Sequence, residues 1–444
     1  MIVMKFGGTS VGSAANIRKV LALVREALPR GPVVVASAFR GVTDMLLDLA
    51  KRAVLEDVEL DALEKRHADV VRELGVRPDI VAAEIEELRD LLRGIRLVKE
   101  LTPRSLDYVG SFGERMSVRI IAEFFRASGL PAVALNAGEI GLVTDSRFTR
   151  ARPLPEAYDE IPKARDWAGS SEVPIVTGFI GRDRDGNVTT LGRNGSDYSA
   201  SIVGAALRAE EIEIWTDVDG VMTADPRVVP DAALIAEMSF EEASEVAYYG
   251  AKVLHPATIL PAVRNNIPVR VCNTNNPSCP GTLILKDTRA AAAGPVRALA
   301  AKSGITLINI VSSRMLAQHG FLAKVFEIFG RHEIVIDVIA TSEVSISVTT
   351  DTPHHLHEAV RELQQFSDVT VDGSRAILCV VGKGMKGAIG VAGRVFQALA
   401  GEKINVEMIS MAAAQINISM LVAAREADAA VRALHRTFFG AAAR

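Results

Sequence analysis

Residues 2–13 read IVMKFGGTSVGS, and the order of residue types in this stretch decides what kind of sheet the chain builds. An apolar run ends in Lys5 and Phe6, two adjacent glycines follow, and the amphipathic SAANIRKVLALVREAL comes next. Paired glycines carry a backbone-entropy cost in any regular element, so they mark a sharp turn or a close approach to the backbone. A strand, a glycine turn and a helix N-terminus together form a cradle of N–H groups for an anion, and Lys5 adds a full positive charge beside it.

Working outward, the same alternation recurs. PVVVASAF is followed by GVTDMLLDLAKRAV, and PAVALNA, VPIVTGFIG, IEIWTDV and IPVRVCN supply further runs rich in valine and isoleucine. Continuous apolar strands separated by helical periodicity predict an α/β fold, a mainly parallel sheet covered on both faces. From Asp44 to about Gly129, LDALEKRHADVVREL and DIVAAEIEELRDLLRGIRLVKEL read instead as charged amphipathic helices with no strand between them, a helical subdomain inserted after the second strand.

The alanine- and glycine-rich KDTRAAAAGPVRA, residues 286–298, breaks the pattern and predicts a domain boundary. Beyond it lies an internal repeat. GFLAKVFEIFGRHEIVIDVIATSEVSISV from Gly320 aligns with GVAGRVFQALAGEKINVEMISMAAAQINISM from Gly390, matching Val325 with Val395, Phe326 with Phe396, Ile334 with Ile404 and Ile346 with Ile416. Each copy reads as a helix, a strand (IVIDVIA, INVEMIS), a turn and a second strand, and two copies make a paired α+β module rather than a solenoid. VVGKGMKG, residues 380–387, formally matches the dinucleotide pattern G-x-G-x-x-G. The equivalent loop of the first copy lacks the glycines, and too little chain follows for a nucleotide-binding sheet, so these glycines are assigned to a turn.

The 444 residues are too many for one typical domain; 49% are hydrophobic, 23% charged and 5% aromatic, the composition of a globular protein with an aliphatic core. A net charge of -4 with basic residues spread throughout leaves no footprint for nucleic acid. The three cysteines are too few and scattered for a disulfide framework, no Cys/His spacing resembles a zinc site, and a reducing, cytoplasmic setting is expected. No leader and no run of about eighteen uncharged apolar residues suggests a membrane.

Four clusters place polar residues where an apolar strand yields to a helix: Lys5, Gly7, Gly8, Thr9 and Ser10; Ser37, Gly41 and Thr43; Glu114 in VGSFGERMS; and Arg193, Gly195, Ser196 and Asp197 after a threonine-rich strand. In open parallel sheets, ligands bind outside the carboxyl ends of strands. Taken singly, Lys5 reads as a surface charge, Ser37 and Thr43 as helix caps and Glu114 as an exposed carboxylate. Taken together they describe phosphoryl transfer, with amides and a lysine for phosphates, an arginine for a carboxylate, and an acid to organise a metal or the lysine. The Walker pattern and the protein-kinase glycine loop are absent.

KFGGTSV, SFGERMS, TTLGRNGSDYSA, IWTDVDGVMTADPR and GAKVLHPAT closely resemble the aspartate kinases of the amino-acid-kinase fold, and the repeat resembles their tandem ACT domains. The resemblance runs over essentially the whole chain, and GFLAKVFEIF with TSEVSISV is most similar to the monofunctional lysine-sensitive branch. It implies a catalytic domain over 1–288 with its helical subdomain at about 44–129. Two ferredoxin-like ACT domains would then fill 296–444, the first at about 306–372 and the second at about 373–444, completed by a strand at 296–305. It also implies that L-aspartate and ATP with Mg2+ are the substrates, that an amino acid, lysine foremost, is the feedback effector, and that the assembly is a homodimer or larger.

Residue by residue, the resemblance assigns Lys5 to the γ-phosphoryl group with Asp197 organising it, and Gly7, Gly8 and Ser37 to the phosphates. Arg193 takes the α-carboxylate of aspartate and Glu114 its α-amino group, assisted by Thr43 and Ser196. Thr216, Asp217, Met222, Arg227 and Lys252 line the nucleotide. Met315, Gln318, Phe321, Leu322, Val335, Asp337, Ser342 and Glu343 are the effector positions, where Asp337 and Glu343 suit a cationic amino acid. Asn194 stands where the family commonly has glycine, Met222 where it often has tyrosine, and Ala317 and Gln318 where it usually has histidine and serine. Two other readings stand beside this one. An N-acetylglutamate, glutamate or uridylate kinase would not call for the ACT repeat or the Arg193 and Glu114 pair, and a non-catalytic amino-acid sensor would predict loss of Lys5 or Asp197.

Overall fold

The computed structural model describes residues 1–163, 172–250, 254–288, 294–312, 319–352, 354–411 and 416–440. They form two compact units, Met1–Val221 with Ala236–Phe240 and Val253–Thr288, and Met222–Ile235 with Glu241–Lys252 and Arg289–Arg444.

In the first unit β1 (Ile2–Phe6) is buried along its whole length and runs through the glycine turn into α1 (Ala14–Ala27), whose first turn is capped by Ser13 Oγ accepting from Asn16 N at 3.2 Å. After β2 (Pro32–Ala36) come four helices without an intervening strand, α2 (Val42–Ala53), α3 (Asp61–Leu74), α4 (Ala82–Val98) and α5 (Pro103–Ala127). Thr102 caps α5 and Pro103 occupies its first turn, where a missing N–H loses nothing. The chain continues through β3 (Ala132–Leu135), α6 (Ala157–Lys163), β4 (Val173–Thr177), the hairpin of β5 (Ile180–Arg182) and β6 (Val188–Thr190), α7 (Gly195–Ala206) and β7 (Glu211–Thr216). Next are β8 (Glu237–Ser239), α8 (Phe240–Tyr249), most of which belongs to the second unit, α9 (Leu260–Arg264), β9 (Val269–Asn273) and β10 (Thr282–Leu285).

These strands form one sheet in the order β3-β4-β2-β1-β7-β9-β10-β8, parallel from β3 to β9, with β10 antiparallel to β9. The fold is that of an α/β sandwich on a mainly parallel sheet. From β1 the chain first adds strands on one side and later, from β7, on the other, so the carboxyl end of β1 lies where strand order reverses and a crevice opens. Two expectations change here. VPIVTGFIG is β4 and β5 rather than one strand, because the chain leaves the sheet at Gly178 to pass the first turn of α7, where a Cβ would lie 2.6 Å from Ser196 Cβ. The threonine-rich run before Arg193 is β6, which pairs only with β5 in a two-stranded ribbon outside the main sheet.

The second unit contains β11 (Ala298–Val311), α10 (Phe321–Arg331), β12 (Ile339–Thr341), β13 (Ser345–Thr350), α11 (Leu356–Leu363), β14 (Asp368–Val381), α12 (Val391–Gly401), β15 (Met408–Ser410), β16 (Asn417–Ala423) and α13 (Ala427–Phe439). Both copies of the repeat share one antiparallel sheet, ordered β12-β13-β11-β14-β16-β15. Its centre is the pair of 14-residue strands β11 and β14, whose register slips near Gly304, held at φ +76°. The aligned Val325 and Val395 are both fully buried, one under each half of the sheet. IVIDVIA is strand only over its last two residues, where β12 begins, and INVEMIS only over 408–410; both form sheet edges and pair on one side alone.

Residues 222–235 join the second copy's core through Ala224 and Val229, and Leu299 N donates to Thr223 O at 2.8 Å. The glycines of VVGKGMKG are explained by packing. A Cβ on Gly382 would meet Pro295 O at 2.3 Å, and Gly387 has φ +78°.

Helix α5 is seated closely because Gly113 has no side chain. A Cβ there would lie 2.7 Å from Ala38 Cβ and 3.4 Å from Leu46 Cδ1 and Val42 Cγ1, whereas one on Gly94 in α4 meets nothing within 4 Å. Alanine gains up to about 1 kcal/mol over glycine in a helix, but overpacking costs about 1–3 kcal/mol, so at Gly113 the clash wins. Gly113→Ala is expected to lower the thermal midpoint of the first unit by ~2–6 °C, followed by circular dichroism, while Gly94→Ala leaves it level or raises it. An unchanged midpoint for Gly113→Ala would contradict this packing.

Candidate active site

A cleft of about 490 Å³ opens at the carboxyl ends of β1 and β2 against the first turn of α7 and one side of α5. Lys5, Gly8, Ser37, Thr43, Glu114, Arg193, Ser196 and Asp197 all line it. Lys5 is 9% exposed rather than a surface charge: it lies on the central strand between Val35 and Ile214 and lines the cleft. Its Nζ lies 2.5 Å from Asp197 Oδ1. Asp197 sits in the first turn of α7, where the helix dipole favours a carboxylate.

The turn that delivers Asp197 passes through Asn194 at φ 55°, ψ 27°, the left-handed region that asparagine tolerates better than most side chains. Asparagine therefore holds this turn at low backbone cost. Close approach governs Gly195 and Gly8. A Cβ on Gly195 would meet Phe179 Cδ2 at 2.7 Å, and one on Gly8 would meet Ala38 O at 2.9 Å. Arg40 N donates to Gly8 O at 3.1 Å and Ser37 N to Phe6 O at 3.1 Å, joining the turns after β1 and β2. Gly7 does not line the cleft, but its N–H donates to Trp215 O at 3.3 Å and a Cβ there would lie 3.4 Å from Lys5 Nζ. Neither Ser37 nor Thr43 caps α2, whose N-cap is Gly41 in the left-handed region.

Glu114 is 3% exposed, not a solvated helical carboxylate. Burial pushes its pKa up to about 8 against the opposing hydrogen bond from the Ala38 N–H, and Oε2 is buried without a partner among the described residues. Asp107 and Arg40 also line the cleft and were not singled out from sequence. The signal for Asp107 was present, since it precedes Glu114 by seven residues and so shares its face of α5.

Other assigned residues lie elsewhere. Thr216 and Asp217 end β7 beside β1 without lining the cleft, and Thr216 Oγ1 donates to Asp217 Oδ1 at 3.3 Å. Met222 and Arg227 belong to the second unit, where the exposed Arg227 is held by Asp225, Nη2 to Oδ2 at 2.6 Å. Lys252, Met315 and Gln318 lie outside the described residues.

At the effector positions, Phe321 is core, packed edge-on against Phe366, while Leu322, Val335, Ser342 and Glu343 are exposed. The Asp337 side chain is fully buried. Its Oδ1 accepts from Tyr248 OH at 2.7 Å and from Lys302 Nζ at 2.9 Å, whereas Oδ2 has no partner among the described residues. Lys302 also pairs with Asp351 Oδ2 at 2.9 Å. Burial alone would lower the lysine's pKa, but the hydrogen bonds and charges of Asp351 and Asp337 outweigh it and raise it.

Backbone amides and a lysine at a glycine turn, a carboxylate on that lysine, and a separate acid and arginine in one cleft suit phosphoryl transfer to a small charged acceptor. Among the described residues no three His, Cys, Asp or Glu side chains cluster to hold a metal ion, and no helix is long and apolar enough to cross a membrane.

This sheet and cleft, with a tandem regulatory repeat, define the class of amino acid kinases with ACT domains. Residues 1–273 match the amino acid kinase family, and 308–365 and 378–438 match the ACT domain. Aspartokinase 1, chloroplastic, of Arabidopsis thaliana is 41% identical over 456 residues, covering 98% of this chain and 80% of that protein. Lysine-sensitive aspartokinase 3 of Escherichia coli (strain K12) is 37% identical over 457 residues, 99% of both chains. The crystal structure of E. coli aspartokinase III with aspartate and ADP (R-state) superposes with a TM-score of 0.83 at 35% identity, over 99% of this chain and 100% of that one. The complex with lysine and aspartate (T-state) gives 0.82 at 36%, over 99% of each. The chain belongs to the aspartokinases of the amino acid kinase family.

The buried Glu114 gives the free protein a distinctive pH response. Its carboxyl binds its proton more tightly in the folded than in the unfolded chain, so its contribution to stability is full below about pH 4.5 and is lost as pH rises toward about 8. Glu114→Gln removes this slope. The thermal midpoint of the variant minus that of the parent is expected to grow from pH 5 to pH 8, and a difference independent of pH would count against an ionisable buried Glu114.

Proposed function

We propose that the chain is an aspartate kinase, transferring the γ-phosphoryl group of MgATP to the β-carboxylate of L-aspartate to give 4-phospho-L-aspartate and ADP. The observation that carries this reading is the convergence in one cleft of the Lys5–Asp197 pair with Glu114 and Arg193. Lys5 follows charge developing on the transferring group, Asp197 fixes its position, and the phosphates are assigned to the turns at Gly7, Gly8 and Ser37. The metal arrives with the nucleotide as part of the substrate.

Arg193 takes the α-carboxylate of aspartate and Glu114 its α-ammonium, with Thr43 and Ser196 alongside. An arriving ammonium stabilises the ionised form of Glu114, so acceptor binding near neutral pH releases a proton. The attacking β-carboxylate is already an anion and needs no general base, which leaves orientation and electrostatics to supply most of the catalysis. Thr216 and Asp217 are assigned to the nucleotide, and the family resemblance adds Met222, Arg227 and Lys252. The homodimer or larger assembly that the family resemblance implies is proposed for this chain as well.

Purified protein is expected to release ADP and form aspartyl hydroxamate with aspartate but not with glutamate. Lys5→Ala and Asp197→Ala are each expected to lower kcat by about 10³-fold with the fold retained. Nucleotide binding without any aspartate-dependent turnover would favour an amino-acid sensor.

Lysine is the proposed effector, its side-chain ammonium directed to Asp337. Because Lys302 already supplies an ammonium there, the effector competes with an internal one. Lys302→Met is therefore expected to lower the lysine concentration giving half inhibition, and Asp337→Asn to raise it. Inhibition curves that coincide with the parent's for both variants would remove Asp337 from the effector site.

A further inference from the structure

We propose that Asp107 is the positioning residue of the acceptor site: from α5 it holds the Thr149 loop and the end of β6 beside Arg193, so that Arg193 and Glu114 present a carboxylate site and an ammonium site at the spacing of an α-amino acid. The inference rests on the acceptor roles proposed above for those two residues.

Asp107 is 2% exposed, yet no cation pairs with it among the described residues. Its partners are all neutral donors, from the loop at Thr149 and from the end of β6 at Thr190. Thr149 N donates to both oxygens, at 3.0 and 2.8 Å, Thr190 N donates to Oδ2 at 2.9 Å, and Thr190 Oγ1 donates to Oδ1 at 2.6 Å. A buried carboxylate without a counter-ion is expensive, and burial raises this one's pKa despite the four contacts. A neutral side chain would pack there at lower cost, so stability alone does not explain the charge.

What the carboxylate holds is a strained and functionally placed backbone. Thr149 has φ 70°, a left-handed conformation in which a β-branched residue is an outlier, and such strain persists only where surrounding contacts over-determine it. The loop of Thr149 in turn meets the loop of Arg193. Ala151 N donates to Thr190 O at 2.8 Å, and a Cβ on Gly192 would lie 3.2 Å from Thr149 O.

Arg193 itself makes no hydrogen bond or ion pair among the described residues, so its position depends on its loop. Asp107 and Glu114 are two turns apart on α5, about 10 Å along the axis. One rigid helix thus carries Glu114 directly and Arg193 through Asp107.

The test compares Michaelis constants for the two substrates. Asp107→Asn keeps the shape but turns an amide donor toward N–H donors, and is expected to raise KM for aspartate about tenfold or more while KM for ATP stays within about twofold, since small misplacements of binding groups are costly. Thr190→Val, which loses only the Oγ1 bond, should shift the same constant by a smaller factor, and serves if Asp107→Asn folds poorly. In an Arg193→Ala background Asp107→Asn should add little further, because its route of action is gone. Equal rises in both constants, or a lowered thermal midpoint with KM for aspartate unchanged, would overturn the proposal. If the parent shows no aspartate-dependent turnover, the acceptor assignment is what fails; positioning is then read from amide hydrogen exchange over residues 190–195. Faster exchange there in Asp107→Asn with the global midpoint retained supports it, and unchanged protection overturns it.

Discussion

The ion pair between Lys5 and Asp197 is the constraint that organises the cleft of the first unit. It links the central strand to the first turn of α7, and both partners are largely withdrawn from water. Removing either would leave a buried charge uncompensated, a far larger penalty than losing an exposed pair. To bring the two groups together the chain must turn through the left-handed Asn194, and Gly195 and Gly178 must let backbones pass where a methyl group would collide. The same approach sets the start of α7 against the carboxyl end of β1, so one packing requirement builds both the helix start and one wall of the cleft.

Burial gives Asp107, Glu114 and Asp337 their character. On α5, Asp107 is saturated by neutral donors and Glu114 keeps one oxygen without a partner, though both stand on the same helix face. A saturated carboxylate fixes geometry. An unsaturated one in a low dielectric holds its proton until a cation arrives. Asp337 in the second unit combines the two states on one group, with Oδ1 taken by Lys302 and Tyr248 and Oδ2 buried and unpaired. Its environment already accommodates one ammonium, that of Lys302.

The second unit carries its two copies on one sheet because β11 and β14 are long enough to pair through both. A shared central ladder means that neither copy has a complete set of strands alone. The register shift at Gly304 falls where the single strand β11 passes from one copy's core to the other's.

Much of this was legible in the sequence, because local rules write themselves in order along the chain. Continuous valine and isoleucine runs mark strands buried on both faces, and GGTS, RGVT and GRNGSD mark strand or hairpin ends with their turns. The repeat shows in its apolar spacing, with Val325 and Val395 at equivalent core positions. Pairings across long sequence separations were not legible: Asp107 with Thr149 and Thr190, or Lys302 with Asp337, have no local signature, since hydrogen bonding depends on distance in space. Strand lengths at the sheet edges also escaped, because an apolar pattern does not reveal whether a partner exists on the far side. The sequence by itself determined the fold class and which residue types sit at strand ends. Tertiary structure alone decided which of them meet and which are taken out of water, because charge state and orientation come from neighbours that only folding supplies.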